Sequence, residues 1–126
     1  MKKLFISVPM RGRTEEAIKT SITKMKAIAE AYEGEELELI DSYMPKSAPE
    51  NVNQSIWCLG RSIEKMAEAD VFIGCGNAYG KYPGCDIEVD VARCYQIKTH
   101  RVDIEDVCPD LADIDATVPG GVNDAM

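Results

Sequence analysis

Histidine is almost absent from this chain: His100 is the only one. A histidine-based metal centre is therefore not expected. Cysteine is present but badly spaced for structural work. Cys58, Cys75, Cys85, Cys94 and Cys108 make an odd count with no C-x-x-C pair. Neither a zinc site nor a disulfide framework is indicated, and free thiols in a reducing cytosol are expected. No apolar run approaches the ~20 residues a membrane helix needs, so no membrane partner is expected. Met1-Lys2-Lys3 looks like the start of a signal peptide, but only a short strand follows before Pro9. A cytoplasmic location is the expectation. Excess positive charge is lacking too: 14 Lys and Arg stand against 22 Asp and Glu, a formal net charge of -8. That argues against DNA or RNA as a partner held by phosphate neutralisation. A small nucleotide needs only a local patch and stays open. Internal repeats and low-complexity blocks are missing as well.

What is present suits one domain with one core: 126 residues, 45% hydrophobic and 29% charged. Residues 3 to 8 form a short apolar run, a buried strand broken by Pro9. Thr14 is placed to cap a helix with Glu15 and Glu16 near its positive end. Ile18, Ile22, Met25, Ala29 and Tyr32 then recur at helical spacing, and Gly34 stops the helix. Residues 36 to 41 alternate as a second strand near an edge, with Leu37 and Leu39 on one side. Residues 42 to 53 contain Pro45 and Pro49 and make a loop able to cover a site. Ser55 is the expected cap of a second helix with Ile56, Leu59, Ile63, Met66 and Ala67 on its apolar face. Val71 to Ile73 is a third strand. The following helix is expected to bury Ile87, Val91 and Cys94 or Tyr95. Residues 98 to 104 complete the set as a fourth strand.

The order β-α-β-α-β-α-β implies right-handed crossovers and a parallel sheet covered on both faces. The expected fold class is α/β, a flavodoxin-like or Rossmann-like three-layer sandwich with four or five parallel strands. The domain is expected to span residues 1–108, followed by an acidic, glycine-rich tail at 109–126. In such a sheet ligands bind beyond the carboxyl ends of the strands at the switch point. Here that means the loops after the first and third strands.

The first loop carries Arg11 and Arg13 beside Gly12, and an arginine there can fork onto a phosphate or carboxylate. A solvated loop arginine is the plainer alternative. The second loop has four glycines between Gly74 and Gly84, without the spacing of a dinucleotide fingerprint or a P-loop. Tyr79 and Tyr82 are candidates to stack on a base or simply to fill space. Asp86, Glu88 and Asp90 alternate near the helix start. Their plainer role is to complement the helix dipole. Glu88, at the border of the apolar face, is also placed to act as a nucleophile on an N-riboside, in the manner of a retaining glycosidase.

Three segments resemble nucleoside 2-deoxyribosyltransferase-like proteins, a family that includes small deoxynucleoside monophosphate N-glycosidases. They are Leu-Phe-Ile-Ser-Val-Pro-Met-Arg-Gly (4 to 12), Ala-Asp-Val-Phe-Ile (69 to 73) and Gly-Cys-Asp-Ile-Glu-Val-Asp-Val-Ala (84 to 92). The likeness spans residues 1 to 98. It is strongest to a branch of small proteins, often in phages and mobile elements. It implies Glu88 as nucleophile, Arg11 as the first-loop arginine and Gly84 as the glycine before the nucleophile helix. It implies no cofactor and no metal, and a homo-oligomer whose site a neighbour completes. Three positions depart from the family pattern: Phe5 replaces a tyrosine, Pro9 a serine and Ser62 an aspartate that assists the leaving base. Asp86 or Asp70 is the carboxylate to take over that second catalytic role, Asp70, opening a strand at its amino end, reading rather as structural. The substrate pocket expected from all this is lined by Ser7, Pro9, Met10, Arg11 and Gly12, by Ser62, and by Gly76, Asn77, Tyr79, Tyr82 and Gly84. The expected ligand is a nucleoside, a nucleotide or a nucleotide-derived signal. The expected activity is N-glycosidic cleavage or transfer, with binding or sequestration of the nucleotide as the alternative.

Overall fold

A computed structural model of the chain describes residues 1–41 and 48–111. Four parallel strands, β1 (Lys3–Ser7), β2 (Glu38–Leu39), β3 (Val71–Cys75) and β4 (Lys98–Val102), lie in the order β2-β1-β3-β4. Helices α1 (Glu15–Glu33), α2 (Gln54–Met66) and α3 (Pro83–Cys94) are the crossovers, and a short α4 (Ile104–Val107) follows β4. This is the flavodoxin-like α/β arrangement, with four strands among the described residues and the switch point between β1 and β3.

Alternation along the strands divides the core. Leu4, Ile6, Val71 and Ile73 point to one face and pack with Met25 and Ala29 of α1 and with Ile104 and Val107 of α4. Phe5 and Phe72 point to the other and pack with Met66 and Ala92. Their rings stack with centroids 5.8 Å apart. The same alternation carries one step further puts Ser7 and its register partner Gly74 on the Phe face, at the carboxyl edge.

Helix α1 begins and ends as the sequence predicts. Thr14 accepts from the Ala17 N–H at 3.0 Å, and Gly34 closes the helix at φ 72°. Its buried stripe is Ile18, Ser21, Met25 and Ala29, while Tyr32 lies outside and stacks on His100. Glu33, almost covered, ties the helix end to β4 through Lys98 and His100.

Several local expectations need correction. Asn53, not Ser55, caps α2, accepting from the Ile56 N–H at 3.0 Å. Met66 alone of the α2 apolar stripe is fully buried, and Ile56 is exposed, because α2 touches the sheet mainly through its C-terminal end. β2 is only two residues long; Leu37 just before it is buried while Leu39 is exposed at the sheet edge. β4 stops at Val102, and Ile104 starts α4. In α3 the buried residues are Gly84, Glu88 and Ala92, a stripe at i, i+4 and i+8. Ile87, Cys94 and Tyr95 are exposed. The helix is thus rotated from the expected setting, so that a carboxylate faces inward where an isoleucine was expected.

The expected covering loop falls partly on residues 42–47, outside the described residues, as does the tail from 112 onward. The described start of that tail stays with the domain: Leu111 is buried in the α1 face, and Asp110 pairs with Arg13. Among the described residues no helix is long and apolar enough to cross a membrane.

Candidate functional site

Glu88 sits in the second turn of α3, and Pro83, not Gly84, opens the helix at its first position. The helix packs against the Phe face of the sheet, so its inward stripe meets the end of β1. There the Ser7 hydroxyl donates to Glu88 Oε1 at 2.6 Å. Ser62, from α2, lines the same cleft as Glu88 and is a further polar influence on its carboxyl. Three elements distant in sequence therefore converge on one side chain, which is 9% exposed. Burial, the largest influence, pushes the Glu88 carboxyl from 4.5 up to about 7, and the two serines pull it the other way. At neutral pH the group is divided between its acid and base forms.

Glu88 lies in the wall of a cleft of about 440 Å³. Met10 and Arg11 from the first loop line it, as do Gln54, Ser55, Cys58 and Ser62 from α2. The volume suits a small organic ligand. Among the described residues Glu88 is the only carboxylate in that lining. A second, smaller cavity of about 170 Å³ lies beyond the β3 end, with Cys75, Tyr79, Tyr82, Asp86, Arg93 and Arg101 among its walls. Cys85, one turn before Glu88, borders both.

The expected pocket residues are divided between these two spaces. Ser7 is on Glu88, and Ser62, Met10 and Arg11 are in its cleft. Pro9, Gly76, Tyr79 and Tyr82 line the smaller cavity. Gly84 is buried inside α3, and Gly12 turns the first loop at φ 77°. Asp86, expected as the second catalytic carboxylate, is engaged elsewhere: it accepts from the Gly80 N–H at 2.8 Å and faces the smaller cavity. Asn77 accepts from the Ile104 N–H and donates to Glu105, each at 2.8 Å, so its side chain fastens the start of α4. The Tyr79 hydroxyl donates to Asp90 at 3.1 Å. Asp70 accepts from the Lys3 N–H at 2.9 Å at the amino end of the sheet, the end opposite Glu88.

Arg13, the loop arginine outside the expected pocket, is bound within the fold. It donates to both Asp110 oxygens, to the Pro9 carbonyl and to Ser21 Oγ. Its side chain is 1% exposed. Gln54, Ser55 and Cys58 were not among the expected pocket residues. The signal was there: 54 or 55, 58 and 62 are one helical stripe of polar and small residues, distinct from the apolar one.

No metal-binding group of three or more His, Cys, Asp or Glu side chains occurs among the described residues. Searches of protein-family models, of curated proteins and of solved structures each return no match for this chain.

Proposed function

We propose that this protein cleaves or transfers the N-glycosidic bond of a nucleoside, nucleotide or nucleotide-derived signal, with Glu88 as the nucleophile. The observation that carries the reading is the Glu88 carboxyl itself. It is buried, held by the Ser7 hydroxyl from β1, and open to a cleft at the sheet switch point that Ser62 of α2 also lines. A buried carboxylate is costly, and such groups concentrate at functional sites. In the proposed reaction ionised Glu88 bonds to the anomeric carbon as the C–N bond breaks. The bonding pair leaves with the base, which takes up a proton. Attack of an acceptor on the glycosyl ester then restores the carboxylate. Water as acceptor gives a hydrolase, and a second base gives a transferase. Arg11 is the side chain assigned to the phosphate or ribose of the ligand.

A second reading, binding without turnover, is favoured by one observation. No other carboxylate lines the Glu88 cleft among the described residues, so no side-chain acid of that kind stands ready to protonate the leaving base. Phe5 does not supply one either, being stacked in the core.

The same proposal makes the protein cytoplasmic, in line with five free cysteines, and homo-oligomeric. Ile56 and Ile87, exposed near the N-terminal ends of α2 and α3, are apolar surface that a second copy would cover.

The test is a chromatographic product assay on a panel of ribo- and deoxyribonucleosides, their monophosphates and cyclic or dinucleotide signals, with and without acceptor bases. Base release by the wild type, reduced on the order of a thousandfold or more in Glu88→Gln, is expected. Intact ligand that binds stoichiometrically and is never cleaved would establish the second reading instead.

A further inference from the structure

The cavity of about 170 Å³ beyond β3 takes no part in the Glu88 reading. Its walls give a use to the glycines that end that strand. Gly74 is the register partner of Arg101 in β4, so both lie on the sheet face that α3 covers. Gly74 and Gly76 carry no side chains, which leaves room between the strand ends and the helix. Arg101 runs beside that room. A Cβ on Gly76 would lie 2.7 Å from Arg101 Cδ and 3.0 Å from Arg101 Cβ, so the arginine stem is laid along the glycine. Arg93, in the last turn of α3, lines the cavity from the helix. Two guanidinium groups from separate elements therefore share one small space in a chain of net charge -8. Among the described residues neither is in an ion pair, whereas Arg13 and Arg61 each hold a carboxylate. The acidic side chains on the same stretch of α3 are taken by the loop before it. Asp86 accepts from the Gly80 N–H at 2.8 Å, and Asp90 from the Tyr79 hydroxyl at 3.1 Å. Two arginines against one aspartate, Asp86, leave the lining net positive. Both arginines are exposed, so a solute reaches them.

We propose that this cavity is a phosphate site, in which Arg93 and Arg101 hold the free ion or the phosphate end of a small ester. The fork of one guanidinium already satisfies a planar carboxylate, whereas a tetrahedral phosphate presents oxygens to two forks at once. The space is below the roughly 300 Å³ at which pockets for drug-sized ligands begin, so it takes a group of phosphate size and not a whole nucleoside. It is a second site and not part of the Glu88 cleft. That cleft has Arg11 in its lining and neither Arg93 nor Arg101. The two spaces meet at Cys85, which borders both, and at Ser7, which lines the smaller one and donates to Glu88.

The experiment uses the full chain, labelled with nitrogen-15 and titrated with sodium phosphate at fixed pH and ionic strength, with chloride as the balance. NMR is expected to show saturable shifts of the Gly74 and Gly76 amides and of the Arg93 and Arg101 Nε–H groups. Calorimetry gives the affinity. Arg93→Gln and Arg101→Gln should each weaken it by about tenfold or more, since each removes a charge-assisted contact. Arg11→Ala should leave it unchanged. Methyl phosphate is the second probe: the same shifts extend the site to esters, and a response to inorganic phosphate alone assigns it to the free ion. Shifts that do not saturate, an affinity indifferent to both arginine substitutions, or equal affinity for acetate overturns the proposal. So does binding lost in Arg11→Ala and kept in the other two variants, which would place the ion in the Glu88 cleft. No glycosidic substrate is present, so the outcome is independent of whether Glu88 proves catalytic.

Discussion

Ser7 and Glu88 are 81 residues apart in the chain, yet the serine hydroxyl donates to the carboxylate at 2.6 Å in a buried contact. The bond spans the switch point: Ser7 is the last residue of β1, and Glu88 lies in the helix that follows β3. It holds the one inward carboxylate of α3 at the edge of a cleft.

Glu88 makes stability depend on pH in a definite direction. Its folded value, about 7, lies above its ordinary 4.5. Between those values the folded state binds more protons than the unfolded state, so stability falls as pH rises through that window and levels off above it. The shift corresponds to about 3 kcal/mol of cost with Glu88 ionised. Glu88→Gln should therefore melt above the wild type at pH 8, with the difference shrinking toward pH 4.5. Calorimetry across that range reads it directly, and equal melting curves at pH 8 would show that the carboxylate carries no burial penalty.

Removing the serine donors should move the same titration. Both hydroxyls favour the charged form, so Ser7→Ala and Ser62→Ala each raise the Glu88 carboxyl further. If Glu88 acts as a nucleophile, the acid limb of the pH–rate profile follows it upward in each variant. Loss of the buried Ser7 bond costs about 1–3 kcal/mol when Glu88 is ionised and less when it is protonated. Carbon-13 NMR of the labelled carboxyl gives the titration without requiring turnover.

Arg13 should behave as a keystone of the fold rather than as a ligand residue. Its guanidinium is buried against Asp110, the Pro9 carbonyl and Ser21. Arg13→Ala orphans those acceptors, and a loss of about 3 kcal/mol is expected by chemical denaturation. Arg11→Ala, on an exposed residue of the cleft lining, should lose under about 0.5 kcal/mol while weakening ligand binding. Asp110 sits below its ordinary 3.8, so its contribution is present above that pH and is lost as pH falls through the lowered value.

Two glycines should respond to alanine with opposite signs. A Cβ on Gly76 would lie 2.7 Å from Arg101 Cδ and 3.0 Å from Arg101 Cβ, so the arginine stem must shift. A loss of about 1–2 kcal/mol is expected. Gly60, inside α2, meets nothing within 4 Å of such a Cβ. There the gain in helix propensity should be about 0.5–1 kcal/mol, or roughly 2–4 °C in melting temperature.

Much of the architecture was legible because it rests on local periodicity. Thr14, Gly34 and the spacing of Ile18, Met25 and Ala29 specify α1 by themselves, since capping and one-sided burial act within a few turns. The strand-loop-helix alternation specified the parallel sheet and its switch point, which in turn nominated Glu88. What the sequence could not decide was rotation. In α3 the steps 87–91 and 84–88–92 are both helical, and hydrophobicity alone favours Ile87 as the inward residue. The structure buries Glu88 where the Ser7 hydroxyl meets its carboxyl and Ser62 lines the same cleft, a polar setting that exists only once β1, α2 and α3 are packed together. The arginines divided for the same reason. Arg11 and Arg13 are alike in sequence context, but Arg13 is drawn inward onto a carboxylate, a carbonyl and a hydroxyl that tertiary folding has gathered around it, while Arg11 lies exposed on the cleft lining. Local pattern therefore determined which elements form and where their loops gather. Partners drawn from distant segments decided which side chain of each element turns inward.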